Sequence, residues 1–295
     1  MQRVEPKPVL NALTLWLTAP RASVYLVHSR LKGLFWLALG EYLMRRRRLV
    51  VLEFIRVRRS RVGHLVDFCT VFFLTRCSRR IHVLTEAEVG EYSKRYRVPE
   101  SRFVSVLWPL HDDRRDVEPF EPSKTLRVMS SGRAACDWRT LLEAERMSLM
   151  DWNLLVVCGK DDEGQVKALA GPSVEVMVDI PANEHDALLR RSAIYVLCLS
   201  EENRSSGHIR LMNAFDYGVP VVATLVRGLI GYVDNGNSTV GVAPGDASGL
   251  VAAVDDLLNS KAKRSLLANG AASVAADRTF TKYLATIADL AHSDL

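Results

Sequence analysis

At 295 residues, 48% hydrophobic and 25% charged, the chain is long enough for two Rossmann-sized domains or one large one, with sizeable cores. Its five cysteines (Cys69, Cys77, Cys136, Cys158, Cys198) form no C-x-x-C pair and leave an odd number. That pattern suits buried thiols in a reducing compartment and excludes a disulfide frame and a cysteine metal site.

The net charge of +5 is unevenly placed: residues 1–110 hold 20 Lys/Arg against 8 Asp/Glu, the remainder 19 against 26. A basic front half suits anionic lipid, nucleic acid or a phosphorylated acceptor. The densest runs, Arg45 to Arg48 and Arg56 to Arg61, read either as solvated helix ends or as a membrane-surface contact. Aromatics do not interleave with them as on a base-stacking surface, so nucleic acid is excluded as a partner. No signal peptide is expected, because no basic segment followed by an apolar run and a small-residue cleavage site opens the chain. The longest apolar stretches, Gly33 to Gly40 and Val62 to Thr75, are too short or too interrupted to span a bilayer. The expectation is a cytoplasmic protein, peripheral on the inner membrane face if it meets a membrane.

In chain order, Leu10 to Leu17 suggests a short amphipathic helix, Val24 to Val27 a strand, Arg30 to Arg47 a helix, and Leu49 to Ile55 a second strand. A helix over Arg61 to Cys77 and a strand over Arg80 to Leu84 follow. Thr85 and Glu88, three apart, form a capping box that opens a helix ending near Tyr96, and Phe103 to Leu107 is one more strand. Strands alternating with helices of this length predict βαβ units and a parallel sheet. The polar stretch His111 to Thr125, with Pro119 and Pro122, suits an interdomain linker.

The second half repeats the alternation. Strands are expected at Leu126 to Ser130, Asn153 to Val157, Val174 to Val178 and Ala193 to Leu199. Helices are expected at Trp138 to Ser148, at Asn183 to Arg191 with Asn183 as N-cap, at Ala247 to Leu258, at Lys261 to Asn269 and at Thr279 to His292. The segment Arg204 to Thr224 is the centre of the chain. Its Ser205-Ser206-Gly207 entry leads into a helix with apolar residues at helical spacing (Ile209, Leu211, Met212, Phe215). Gly218 ends that helix, Pro220 blocks its continuation, and Val219 to Thr224 is a buried strand. The entry leaves backbone N–H groups free at the positive end of a helix dipole, where a phosphate binds.

Three loops should converge at the carboxyl ends of the second-half strands: Ser131 to Asp137, Gly159 to Glu163 and Ser200 to Gly207. Gly132, Arg133, Ser206 and Gly207 lie in them. Arg133 reads as a phosphate contact or a loop cap, and Arg139 as a phosphate contact or a surface helix residue. His208, in the first helical turn, reads as a donor contact or as a packing histidine. No G-x-S-x-G, P-loop or G-x-G-x-x-G is present. No histidine pair has metal-ligand spacing, and Asp112-Asp113 reads as linker charge.

The Arg204 to Thr224 segment resembles the donor-site segment of glycosyltransferase family 4, usually a Glu-x7-Glu followed by an Ala, a small residue and Gly-x-Pro-Val-Val. Gly228 to Ser238, Val242 to Asp246 and the Ala247 to Leu258 helix resemble the same family. So do Ile81 to Glu86, Tyr96 to Val104 and Trp108-Pro109-Leu110. The resemblance covers roughly residues 80 to 275 and is strongest from about 193 to 258. It implies an α/β, GT-B-like fold with two Rossmann-like parallel-sheet domains, the N-terminal one reduced. The expected division is 1–118, 119–278, and a final helix at 279–295 that packs back on the first domain.

The same resemblance implies transfer of a sugar from a nucleotide-sugar donor, with retention of configuration, without metal and without any other cofactor. It places Gly132, Arg133 and Arg139 against the donor diphosphate. It sets Ser205 and Asn213 where the family has its two glutamates. Asn213 can still hydrogen-bond ribose hydroxyls, but Ser205 cannot replace a charge; Glu201 or Glu202 either supplies it or is a solvated loop acid. The altered glutamate pair and the reduced first domain also fit a different class of protein: a non-catalytic partner subunit, or a binder of nucleotide-sugar or membrane.

Overall fold

The computed structural model describes residues 24–29, 33–55, 61–110, 126–202 and 205–292, with the side chains of 61–67 excluded. The expected Leu10–Leu17 helix, the Arg56–Arg59 part of the second basic run, the 111–125 linker and Arg204 lie outside the described residues. The chain divides into two compact units, one of residues 1–106 with 284–295, the other of residues 107–283.

The first unit holds a four-stranded sheet of β1 (Tyr25–His28), β2 (Leu49–Leu52), β3 (Ser78–Val83) and β4 (Phe103–Ser105), in that spatial order. Every pairing is parallel. Helices α1 (Leu34–Leu43), α2 (Arg61–Cys77) and α3 (Glu86–Tyr96) make the crossovers. Parallel strands are buried on both faces and therefore read as continuous apolar runs; Leu49, Val50 and Val51 are all fully buried. Thr85 caps α3 by accepting from the Glu88 N–H at 3.3 Å, and Glu88 reaches back to the Leu84 N–H at 3.0 Å. The capping box therefore closes one residue further upstream than its usual form.

The second unit holds β5 (Val128–Gly132), β6 (Leu155–Cys158), β7 (Glu175–Val178), β8 (Ile194–Leu197), β9 (Val221–Thr224) and β10 (Thr239–Val242). Their order is β10-β9-β8-β5-β6-β7, again with every pairing parallel. Alternate residues feed two cores: Ile194 and Val196 face one, Tyr195 and Leu197 the other. The helices are α4 (Trp138–Met147), α5 (Glu163–Leu169), α6 (Ala182–Arg190), α7 (His208–Asp216), α8 (Ala247–Asn259) and α9 (Lys261–Asp277). A last helix, α10 (Phe280–His292), carries the chain into the first unit, where the Arg79 guanidinium donates to the Ala291 carbonyl at 3.0 Å.

Several expectations shift. Helix α6 begins at Ala182 behind Pro181, so Asn183 sits inside the first turn and caps nothing. Proline ahead of a helix fixes φ where no N–H is needed, and that local preference outweighs the asparagine. Helix α9 runs through Gly270 to Asp277 because this glycine marks a close approach: a Cβ there would strike the Asn237 backbone. Short α5 and β10 carry too little periodicity to read from sequence. The end of α7 follows the sequence closely. Gly218 is left-handed, with φ 63°, and its N–H donates to the Phe215 carbonyl while that of Val219 donates to the Ala214 carbonyl, a Schellman closure.

Candidate functional site

In the second sheet the chain travels outward from β5 through β6 to β7, then returns to β8 and travels the other way. The order reverses between β5 and β8. In an open parallel sheet the loops at such a point diverge and leave a crevice beyond the strands' carboxyl ends. Here those loops are 132–137 and 198–207, the latter described except for residues 203–204. An antiparallel bridge from Cys136 to Leu199 ties them together, as do the Asp137 N–H to the Cys198 carbonyl and the Ser200 N–H to the Ala135 carbonyl.

Helix α7 starts at this crevice. Its N-cap is Gly207, with φ 78°, no side-chain cap, and no acid in the first turn. No acid of the helix's own first turn therefore offsets its positive end. Only glycine fits: a Cβ there would stand 2.7 Å from Leu199 Cδ1. Ser205 is buried and Ser206 half-buried just ahead of the cap.

The side chain that meets Gly132 comes from α7. The Arg210 guanidinium donates to the Ser131 carbonyl, to the Ala134 carbonyl at 3.2 Å and toward Cys136 Sγ at 3.2 Å. A Cβ on Gly132 would collide with it, so this glycine provides close approach and not a turn. Below it, Ser131 Oγ lies 2.9 Å from both His185 Nε2 and the Tyr195 hydroxyl. Burial pushes the Tyr195 pKa up, which keeps the phenol protonated. Arg210, Ser131, His185 and Tyr195 were not singled out from sequence. Their one advance signal was a glycine directly after a strand, which often marks a close contact.

The expected residues separate. Arg133 is exposed; it passes over Gly159 and pairs with Asp179 at 2.8 Å, along the β6–β7 side of the crevice. Arg139 is exposed in the first turn of α4, behind the Asp137 cap, with no ion pair among the described residues. Glu201 accepts from the Arg227 N–H at 3.2 and 3.3 Å and so caps the short 227–229 turn; Glu202 is half-buried beside it. Asn213 is half-buried in α7, one and a half turns beyond Gly207. His208 is buried at 6% exposure, stacked on Tyr232 with ring centres 5.6 Å apart and tilted toward Trp108 at 5.9 Å. Burial, and then the nearby Arg210, bring its pKa down to about 4. Its Nδ1 is buried without a hydrogen-bond partner, which invites a ligand or a water.

The carboxyl ends of the first sheet hold a polar cluster of their own. Glu53, in left-handed backbone at φ 51°, follows β2 and holds His28 Nε2 at 3.0 Å. Its N–H donates to His82 Nδ1 at 3.2 Å, so His82 carries its proton on Nε2 and donates to the Val106 carbonyl at 2.8 Å. Burial lowers the His82 pKa and keeps the ring neutral.

Residues 135–260 match the family described as Glycosyl transferases group 1. That segment of the second unit is therefore similar to group 1 glycosyl transferases. The match begins within the 132–137 loop, after Gly132 and Arg133, and includes the 198–207 loop and α7. No curated protein matches the chain in sequence. Among solved structures, Anabaena HepE in complex with UDP superimposes with a TM-score of 0.76 at 16% identity, covering 94% of this chain and 80% of that one. A glycosyltransferase from Rickettsia africae gives 0.71 at 12% identity over 99% and 83%. Sucrose-phosphate synthase from Thermosynechococcus elongatus gives 0.69 at 16% over 95% and 76%. The chain has the GT-B type of fold, two Rossmann-like parallel sheets, with four strands in the first against six in the second. Among its described residues no three His, Cys, Asp or Glu side chains cluster as metal ligands, and no helix is long and apolar enough to cross a membrane.

Proposed function

We propose that this protein is a glycosyltransferase that moves a sugar from a nucleotide-sugar donor bound at the β5–β8 crevice. The observation that carries the reading is the uncapped, glycine-started N-terminus of α7 beside Gly132 and Arg210. As the sugar–phosphate bond breaks, negative charge collects on the departing diphosphate. The N–H groups of Ser206, Gly207 and His208 and the guanidinium of Arg210 are fixed beside that position and need little rearrangement, which is electrostatic catalysis without a side-chain nucleophile. Arg133 contributes by exchanging Asp179 for phosphate oxygens, and Arg139 by its exposed charge. Asn213 hydrogen-bonds the ribose, Ser205 lines the sugar end, neutral His208 offers Nδ1 to the donor, and Glu201 and Glu202 hold the 198–207 loop. Retention and metal independence belong to this reading through the family 4 resemblance. The complexes of HepE with UDP and with UDP-glucose support UDP as the first nucleotide to try.

Ser205 and Asn213 in place of two glutamates favour a second reading: donor binding without transfer, as a subunit acting with a protein partner or at an anionic membrane. Calorimetric titration with UDP, GDP and dTDP, beside Arg210→Ala and Arg133→Ala, tests both. Micromolar binding of one nucleotide, weakened in the variants and followed by turnover of the matching sugar, is the expected result. Binding without turnover selects the second reading, and no binding to any nucleotide removes the donor site.

A further inference from the structure

The amino ends of the first sheet, opposite its Glu53 cluster, enclose a cavity of about 490 Å³. Arg45, Arg46 and Arg47 come from the stretch entering β2, Arg76 from the end of α2, Arg97 from the end of α3, and Arg102 from the turn before β4. Among the described residues no carboxylate lines it. None of the six arginines makes an ion pair among the described residues, although the adjacent Arg48 does, with the buried Glu41 carboxylate at 2.6 Å. The fixed contacts are few: Arg76 donates to the Phe72 carbonyl at 3.0 Å and covers the Phe72 ring at 3.6 Å, and Arg102 donates to the Ser78 carbonyl at 3.1 Å.

Helices α1, α2 and α3 all end here, and the negative ends of their dipoles favour cations. That explains one or two arginines but not six: three ends supply roughly half a charge each, against six full positive charges. Burial and the charges of Arg47 and Arg80 lower the Arg102 pKa, a sign of this crowding. Two of the arginines also sit where glycine is favoured. Arg45 and Arg97 both have φ 54°, a left-handed conformation that side chains other than glycine adopt at a cost.

We propose that this cavity binds a phosphate-bearing anion of at least two negative charges, at a site separate from the donor crevice. Guanidinium groups match phosphate oxygens in pairs, and the volume fits a ligand of headgroup or sugar-phosphate size. The phosphate comes either from a soluble metabolite or from an anionic lipid; Leu43 and Met44, exposed at 70% and 47% directly before Arg45, are placed for the latter.

The test uses the full chain and two probes. Inorganic pyrophosphate is titrated by calorimetry, and co-sedimentation is measured with phosphatidylglycerol-containing vesicles against pure phosphatidylcholine vesicles. The decisive variant is Arg45→Gly with Arg97→Gly, which removes two cavity charges while relieving two left-handed positions. We expect it to weaken binding by about tenfold or more with the unfolding midpoint unchanged or raised, so a loss of binding cannot be ascribed to misfolding. Lys261→Gln with Lys282→Gln, which removes two exposed charges elsewhere, should leave that binding within about twofold; Arg133→Ala with Arg210→Ala removes any pyrophosphate held at the crevice, and the cavity's share should persist in it. Pyrophosphate binding identifies a soluble ligand, and vesicle binding alone identifies a lipid. The proposal falls if neither probe binds, if the double glycine variant binds as the parent does, or if only the crevice variants lose binding.

Discussion

The two sheets are built from the same βαβ unit but differ in strand order. The first runs β1-β2-β3-β4 without reversal, whereas the second reverses between β5 and β8. Crossovers that all go one way leave no divergent pair of loops. The reversal creates a crevice, and there the positive potential comes from peptide N–H groups and one well-tethered guanidinium, Arg210. On the first sheet the positive charge collects at the amino ends, on side chains with few fixed contacts. The second arrangement is held by backbone and by a side chain with several fixed contacts, which suits a charge that appears at a set place. The first rests on side chains with few fixed contacts, which suits ligands of varied shape.

The variant with the largest expected effect breaks the rigid arrangement. Gly207→Ala adds a left-handed penalty to a clash with Leu199, and should cost about 2–4 kcal/mol in denaturant unfolding and abolish nucleotide binding. A variant of normal stability and affinity would refute the tight fit at the α7 cap. Acid comes next. His208 has a folded pKa of about 4, brought down from 6.5 by burial and Arg210, so the unfolded chain takes up the proton first. The His208 contribution is complete above pH 6.5 and is lost as pH falls toward 4, on the order of 3 kcal/mol in all. Unfolding curves should show the parent losing stability relative to His208→Phe as pH falls from 6.5 toward 4, with a constant difference above that range; parallel curves would show the ring to be solvated.

Smaller changes sharpen the contrast. Arg210→Ala should weaken UDP by about 10- to 100-fold, the loss of one charge-assisted contact, measured calorimetrically. Arg133→Ala should weaken it less, and should change stability by under about 1 kcal/mol, since its pair with Asp179 is exposed on both sides. Arg97→Gly should raise stability by about 1 kcal/mol, which a thermal melt would register; a lower midpoint would mean that the arginine is structurally anchored.

Much of the fold was legible because it is written locally. Continuous apolar runs such as Leu49 to Leu52 and Ile194 to Leu197, the Thr85 cap, and Gly218 before Pro220 each fix an element within a few residues. What was missed lacked such a mark. Gly270 looks like a terminator until Asn237 is seen against it, and Asn183 looks like a cap until Pro181 takes that place. At the crevice, the glycine start of α7 (Ser206, Gly207) was legible from its turn chemistry, but the close approach at Gly132 and the side chains gathered around it were not. Arg210 reaches Ser131 and Ala134 across more than 70 residues of chain, and Ser131 meets His185 and Tyr195 across more than 50.

The sequence by itself determined the alternation of strand and helix, the glycine-started helix at the centre of the second half, and the basic character of the first. Periodicity, capping and turn preference act between near neighbours, so one strand of text carries them. The tertiary structure decided the strand reversal that opens the crevice, the choice of Arg210 beside Gly132, the pairing of Arg133 with Asp179, and the gathering of six arginines at one end of a sheet. Those depend on which distant segments the packing of two cores brings within a few ångströms.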